Sequence, residues 1–252
     1  MSTEEEDLDI EINDQLVLIS GQSATGKSAS LRNIRNQSRW VYMGTEAGKR
    51  LPFRNQFNSI RITDPYQVFA YIDECIANPD EVDGIIIDSI TFLMDMYETQ
   101  YVIGSANTMA AWGAYQQFFK QLMGKIAQFG KPVILTAHTL TVYNETTMTN
   151  ETSVPIKGAL KNNGIEAYFS TVVSTKKVTL KELEKYSSGL LEITEEEKEL
   201  GFKYVFQTRI TKSTTGERIR SPMGMFDRNQ TYIDNDAQAL IDHLTKFYNE
   251  AA

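Results

Sequence analysis

The feature that most constrains this chain is a short glycine-containing stretch, residues 21–28, with the sequence Gly-Gln-Ser-Ala-Thr-Gly-Lys-Ser. It matches G-x-x-x-x-G-K-[ST], the Walker A phosphate loop. Gly21 and Gly26 let the backbone turn so that successive N–H groups point at a phosphate chain. Lys27 supplies charge for the β- and γ-phosphates, and Ser28 supplies a hydroxyl for Mg²⁺. We therefore predict ATP and Mg²⁺ as ligands. The predicted nucleotide-binding residues are Gly21, Gln22, Ser23, Ala24, Thr25, Gly26, Lys27, Ser28 and Ala29.

The flanks of this stretch agree with a phosphate loop. Leu16 to Ser20 is an apolar run of the kind that forms a buried parallel strand. After the loop, Leu31 and Ile34 stand at helical spacing. We therefore expect a helix whose N-terminal dipole points at the phosphates.

The length of the chain limits the number of domains, and its charge limits how it could bind nucleic acid. Its 252 residues suffice for one sizeable α/β domain and are short for two, and no internal repeat or linker is visible, so we predict a single domain over residues 1–252. The formal charge of −8 does not attract nucleic acid over the whole surface. Nucleic-acid binding would require a local basic or aromatic groove and would depend on salt.

The chemistry of the cysteine and of the chain start points to an intracellular protein. The single cysteine, Cys75, allows no internal disulfide and lies in an apolar-periodic segment, so we expect a buried thiol. Residues 1–7 are acidic, which indicates a disordered tail rather than a signal peptide. No apolar run approaches the roughly 20 residues of a membrane span. We expect a cytoplasmic location, in a bacterial host if the protein is viral, without membrane contact.

Strand-like and helix-like segments alternate along the chain. This order predicts an α/β fold with a mainly parallel central sheet, helices on both faces and a C-terminal β-hairpin at Thr215-Gly216. The polar residues 139–164 are expected to form a long mobile loop, and residues 176–203 a helical insertion. The predicted strands are 8–12, 16–20, 40–43, 84–89, 132–138, 168–175 and 204–211, and the predicted helices are 65–77, 109–129 and 236–248, with Asp236 as N-cap of the last.

Three polar residues follow predicted strands. Asp88 ends the run Ile85-Ile86-Ile87, the Walker B arrangement, where it would hold Mg²⁺ opposite Ser28. Glu46 follows another strand and is positioned to activate water, although an exposed loop glutamate gives the same pattern. His138 ends a third strand and is a candidate γ-phosphate sensor or a structural histidine.

A basic set surrounds the predicted hairpin: Arg209, Lys212, Arg218 and Arg220. Such residues form a solvated face, or they reach the γ-phosphate of a neighbouring subunit as arginine fingers do. Both interpretations stay open. Two histidines and one cysteine make no clustered set of zinc ligands.

From Leu16 to Phe226 the order of these motifs resembles the RecA-like recombinase core. It is most similar to the small phage ATPases of that group that act in single-strand annealing or recombination. Tyr42-Met43-Gly44-Thr45-Glu46 looks like the strand that ends in the catalytic base of that group. Ile85 to Ser89 looks like its Walker B segment. His138 stands where the family has a γ-phosphate-sensing glutamine, which is a departure from its pattern.

This resemblance implies further properties. ATP would lie between subunits of a homo-oligomer, either a ring or a filament. Lys212 lies near the trans-acting basic residues of the family, and Arg218 and Arg220 compete with it for that role. Glu46 would be the general base, and Lys27, His138 and Asp88 would complete the site.

The resemblance also points to two DNA-binding loops, residues 97–108 and 140–164. Lys157-Gly158-Ala159-Leu160 is similar to the close of the second loop of the family. Plain loops that order at a subunit interface are the alternative. The candidate DNA contacts are Tyr97, Tyr101, Tyr143, Lys157 and Lys161.

These observations predict an ATPase that binds single-stranded DNA, is stimulated by it and promotes annealing or recombination. A single-strand-binding protein is a further candidate partner. One alternative is a helicase-like or motor ATPase of the same core. The other is a nucleotide-switched loader that binds a protein partner.

Overall fold

The computed structural model describes residues 13–46, 48–146 and 148–251. The predicted acidic tail (residues 1–7) and the predicted strand at 8–12 lie outside the described residues. The strands are β1 Leu16–Gly21, β2 Trp40–Gly44, β3 Asn58–Arg61, β4 Gly84–Asp88, β5 Val133–His138, β6 Leu140–Asn144, β7 Thr149–Ser153, β8 Thr171–Thr179, β9 Phe202–Gln207 and β10 Tyr232–Asp234.

The main sheet has the order β10-β9-β8-β1-β5-β4-β2-β3. Neighbours from β8 to β3 pair in parallel, and β9 and β10 add antiparallel strands at one edge. The α/β fold class is therefore confirmed, with a C-terminal hairpin formed by β9 and β10. The expected second arm, residues 217–220, instead makes two isolated bridges, Thr152 with Glu217 and Val172 with Arg220.

The sheet is covered on both faces, as a parallel sheet requires. The α-helices are α1 Gln67–Ala77, α2 Ile90–Tyr97, α3 Thr108–Gln128, α4 Leu160–Asn163, α5 Leu180–Leu183, α6 Glu195–Leu200 and α7 Ala237–Ala251. Side chains alternate between the faces of β1: Leu16 and Leu18 belong to the core that contains residues of α1, α2 and α3, whereas Val17 and Ile19 face the core that includes α7. Cys75 is buried, as expected.

Parallel register brings the predicted site residues to one edge. Gly21 of β1 lies beside His138 of β5, and Gly44 of β2 lies beside Asp88 of β4. The carboxyl ends of parallel strands are where α/β proteins bind ligands. The phosphate loop therefore meets Asp88 and His138 there.

Three expectations need correction. The helix after the phosphate loop is a short 3-10 helix, Ser28–Asn33. Residues 139–164 contain the antiparallel pair β6–β7 and α4 rather than a structureless loop. The loop predicted after Walker B is largely helical, because α2 continues into the π-helix Glu98–Val102.

The region predicted as an insertion, residues 176–203, includes the end of β8 and the start of β9, so only residues 180–201 connect these antiparallel strands. It contains α5 and α6, and Leu183 of α5 packs against Val205 and Tyr232 of the sheet edge. Lys203 also pairs with Glu197 of α6, so this segment is anchored beside the sheet. No helix in the described part of the chain is long and apolar enough to cross a membrane.

Candidate active site

The phosphate loop turns at Gly26 as expected, whereas Gly21 is the last residue of β1 and is not in the left-handed region. Gly26 has φ of +100°, a conformation that L side chains rarely adopt, and Ala24 has φ of +60°. The loop borders a cavity of about 650 Å³. The lining residues are Ser23, Ala24, Gly26, Lys27, Ser28, Ala29, Arg32, Lys49, Arg50, Pro52, His138, Glu197, Lys203, Tyr204 and Asn235.

Lys27 is held inside this cavity. Its side chain is mostly buried, and its Nζ donates hydrogen bonds to the carbonyl oxygens of Gly21 (2.9 Å) and Gln22 (2.7 Å). Burial, followed by the nearby charge of Lys49, lowers the pKa of Lys27 to about 8, against the opposing pull of Asp88. A phosphate chain would offer this ammonium stronger acceptors than the loop carbonyls do.

Asp88 is buried and oriented by two hydroxyl groups. The Tyr42 hydroxyl donates to Asp88 Oδ2 at 2.9 Å, and the Thr136 hydroxyl donates to Oδ1. Burial and the charge of Asp88 raise the pKa of Tyr42, so this phenol stays protonated as a donor. Asp88 and Ser28 line one small recess together with Glu46.

The donor set of this recess fits Mg²⁺. Carboxylate and hydroxyl oxygens are the hard ligands that Mg²⁺ prefers, with phosphate oxygens completing the shell. Among the described residues, no group of three or more His, Cys, Asp or Glu side chains forms a metal cage. We therefore assign Ser28 and Asp88 as the protein groups that could hold the ion.

Glu46 lies between two nitrogen-bearing side chains. One oxygen of Glu46 forms an ion pair with Lys49 at 2.5 Å, and the other lies 3.4 Å from His138 Nε2. Burial, followed by the charge of Lys27, lowers the pKa of His138. At neutral pH His138 is therefore a neutral hydrogen-bond partner of Glu46 rather than a cation.

Thr45 connects the ends of β2 and β4. Its backbone N–H donates to the Asp88 carbonyl at 2.9 Å, and its hydroxyl exchanges two 2.8 Å hydrogen bonds with the Ser89 backbone. Because Thr45 is buried and precedes Glu46, these bonds place the candidate base relative to the candidate metal ligand.

Sequence reasoning missed several residues of this site. Tyr42 and Thr136 look like ordinary strand residues, and only the strand register shows that they reach Asp88. Asn235 is buried, and Gly26 approaches its side chain so closely that an added Cβ would lie 3.0 Å from the amide oxygen. Of these residues, only Lys49 could have been identified from the sequence, because it is a cation three residues after Glu46.

The C-terminal basic residues are held in different ways. Arg218 pairs with Glu166 at 3.2 Å, and Arg209 donates to the Phe226 carbonyl. Lys212 and Arg220 are exposed. None of the four lines the large cavity. All four residues are exposed, but among the described residues the side chains of Lys212 and Arg220 have no hydrogen-bond or ion-pair partner, which leaves these two available for a role in a neighbouring site.

The candidate DNA contacts differ in their burial and in their side-chain partners. Tyr97 is only 2% exposed and shares a hydrogen bond with the Tyr66 hydroxyl. The prediction that its ring is available to stack on a DNA base is therefore wrong. Tyr101 donates a hydrogen bond to Asp64. Lys157 pairs with Glu98. Tyr143 on β6 and Lys161 on α4 are exposed and have no acidic partner among the described residues.

A comparison with protein families matches residues 13–217 to a family model described as an AAA domain. This match covers β1 to β9 and every candidate site residue from the phosphate loop to His138. A search of curated proteins found no match.

Proposed function

Because the chain belongs to the AAA domain family and has a P-loop ATPase core, we propose that it binds ATP with Mg²⁺ and hydrolyses it at the carboxyl ends of β1, β2, β4 and β5. The phosphate loop and Lys27 bind the β- and γ-phosphates. Ser28 and Asp88 hold Mg²⁺, which neutralises charge on the phosphates when bound. Glu46 accepts the proton of the attacking water.

One observation carries this proposal: a carboxylate, an imidazole and two lysines lie next to one another beside the phosphate loop. Glu46 contacts both His138 and Lys49, and Lys27 lies in the same cavity as His138. His138 would hold Glu46 in place through Nε2 and respond to a γ-phosphate. The two hydroxyl groups orient Asp88, whose role is to bind Mg²⁺ rather than to accept the proton of the attacking water.

We propose further that this ATPase acts as a homo-oligomer on single-stranded DNA, in annealing or recombination. The support is the resemblance of the motif order to the RecA-like core, together with the exposed Lys212 and Arg220. These two cations are available to complete the nucleotide site of a neighbouring subunit. Tyr143 and Lys161 are exposed members of the proposed DNA loops that have no acidic partner among the described residues.

The test is steady-state ATP hydrolysis by the purified protein at low salt, with and without single-stranded DNA. Lys27→Ala should abolish both turnover and ATP binding, because the phosphates lose their fixed charge. Glu46→Gln should keep ATP binding but lower kcat by about 100-fold or more, the usual contribution of a general base. Glu81→Gln, an exposed carboxylate near the start of β4, is the matched control and should leave kcat unchanged.

Unchanged turnover in Glu46→Gln would show that another group activates water. Turnover that does not respond to single-stranded DNA would leave the ATPase intact and overturn the DNA role. Unwinding of forked DNA would favour the motor alternative, and capture of a protein partner only with ATP would favour the loader.

A further inference from the structure

A second concave surface lies beside the candidate active site. The described residues of the connection from β2 to β3, 45–46 and 48–57, contain no regular secondary structure. They border a groove of about 540 Å³, which we call the basic groove. Its lining includes Lys49, Arg50, Phe53, Arg54 and Arg61.

The basic groove concentrates positive charge on an acidic chain. Arg50, Arg54 and Arg61 are exposed, and within the described ranges no ion pair involves any of them. By contrast, Arg35 and Arg39 are paired with aspartates on the surface. Three guanidinium groups that have no acidic partner among the described residues surround one groove, on a chain of formal charge −8, and they indicate a site for an external anion.

Aromatic surface accompanies these charges. Phe53 lines the groove and is partly buried, with its ring packed edge-on against Phe57 at 6.5 Å. Phe57 in turn stacks on Tyr42. An anchored ring next to arginines suits a ligand that carries both phosphates and bases, because guanidinium groups bind phosphate in a fork and bases stack on ring faces. An acidic peptide would use the charges but not the ring.

We propose that the basic groove binds single-stranded nucleic acid, with Arg54 and Arg61 on its phosphates and Phe53 against a base. This inference rests on the proposed function and names a contact surface different from residues 97–108 and 140–164. Arg54 and Arg61 line the groove but not the nucleotide cavity, so they are separable from ATP binding.

The groove is also connected to the candidate base. Lys49 lines it and forms the ion pair with Glu46. A phosphate bound in the groove competes for the Lys49 ammonium and releases the Glu46 carboxylate toward water. Occupancy of the groove therefore raises ATP turnover, and Lys49 is the positioning residue through which it acts.

The test compares R54Q/R61Q with a control pair that loses the same charge, K120Q/R228Q, whose residues are exposed and form no ion pair in the described structure. Binding of a fluorescent oligo(dT) is measured by anisotropy from low to moderate salt. Loss of two phosphate contacts should flatten the slope of log K against log [salt] by about 1.4, at about 0.7 per single-strand contact. R54Q/R61Q should also lose DNA stimulation and keep its DNA-independent ATPase rate, whereas the control pair should match the wild type in both.

Equal DNA binding and an equal salt slope in the wild type and R54Q/R61Q would overturn the inference while leaving the proposed function intact. A fall in DNA-independent turnover with unchanged DNA binding would also overturn it, and would place these arginines at the nucleotide site of a neighbouring copy. If the wild type binds no oligo(dT) but binds polyglutamate, both the DNA role and this inference fail.

The coupling step has its own variant. K49Q removes the cation from Glu46, so the DNA-independent rate should rise toward the stimulated rate and the stimulation ratio should fall. If K49Q keeps the wild-type stimulation ratio at saturating ATP, Lys49 does not transmit groove occupancy.

Discussion

The environment of Lys27 destabilises the charged form of its side chain. Burial and Lys49 lower its pKa to about 8, although Asp88 and Glu46 partly compensate. Bound phosphates would favour the charged ammonium and raise that pKa again. We therefore expect nucleotide binding to be linked to protonation of this one side chain.

We predict that ATP binding weakens as the pH rises above about 8. Below that pH, Lys27 is already protonated in the free protein, so the Kd is flat. Above it, binding must take up a proton, and the Kd rises toward tenfold per pH unit. Titration of a non-hydrolysable ATP analogue from pH 7 to about 9.5 measures this. Circular dichroism at each pH confirms that the protein remains folded.

K49Q is the companion measurement. It removes a like charge from Lys27, so the break in the Kd profile should move to higher pH. A profile that stays flat through the whole range in the wild type would mean that Lys27 is charged in the free protein throughout.

At the scale of elements, the phosphate loop is tied to the C-terminal helix α7. The Asp236 side chain accepts hydrogen bonds from the N–H groups of Gln238 (2.9 Å) and Ala239 (3.1 Å), which makes it the N-cap that the sequence predicts. It also accepts from Asn33, the last residue of the 3-10 helix after the loop. Arg32 donates to the Asn235 carbonyl at 2.9 Å.

We predict that Asp236→Ala lowers the free energy of unfolding by about 1 kcal/mol, the usual loss for an N-cap. Urea denaturation measures this. Asn249→Ala, an exposed change near the other end of α7, is the control and should differ little from the wild type. Equal midpoints for the two variants would contradict the capping role.

At the scale of the whole molecule, the structure distinguishes between cations that stabilise the fold and cations that remain available. Arg218 is held by Glu166, whose side chain is almost fully buried, and Arg209 is held by a backbone carbonyl. Lys212 and Arg220 stay exposed and lie outside the lining of the nucleotide cavity. The proposed function implies a homo-oligomer in which Lys212 and Arg220 reach the ATP bound by the adjacent subunit.

We predict that K212A/R220A binds ATP normally but loses about 1,000-fold or more in kcat, the low end of what a trans-acting finger contributes. Mixing it with Lys27→Ala should restore part of the activity, because each subunit then supplies what the other lacks. Lys246→Ala, an exposed lysine on α7, is the control. If the mixture is only as active as the two variants measured separately and added together, the nucleotide site is not shared between subunits.

The sequence by itself determined those features that depend on local order. Gly21 to Ser28 and the run before Asp88 predict a phosphate loop and a Walker B strand, because these motifs are contiguous and their flanks have the right periodicity. The alternation of strands and helices was enough for the α/β class. The Asp236 cap followed from its place before an amphipathic segment.

Only the tertiary structure decided what depends on contacts across the chain. Tyr42 and Thr136 reach Asp88 through strand register, and Tyr97 is removed from the surface by packing of α2 against the core. Glu166 and Arg218 are 52 residues apart, so no local pattern shows that they are paired. Periodicity reports which face of an element is buried, whereas the partner that meets that face is set by the fold.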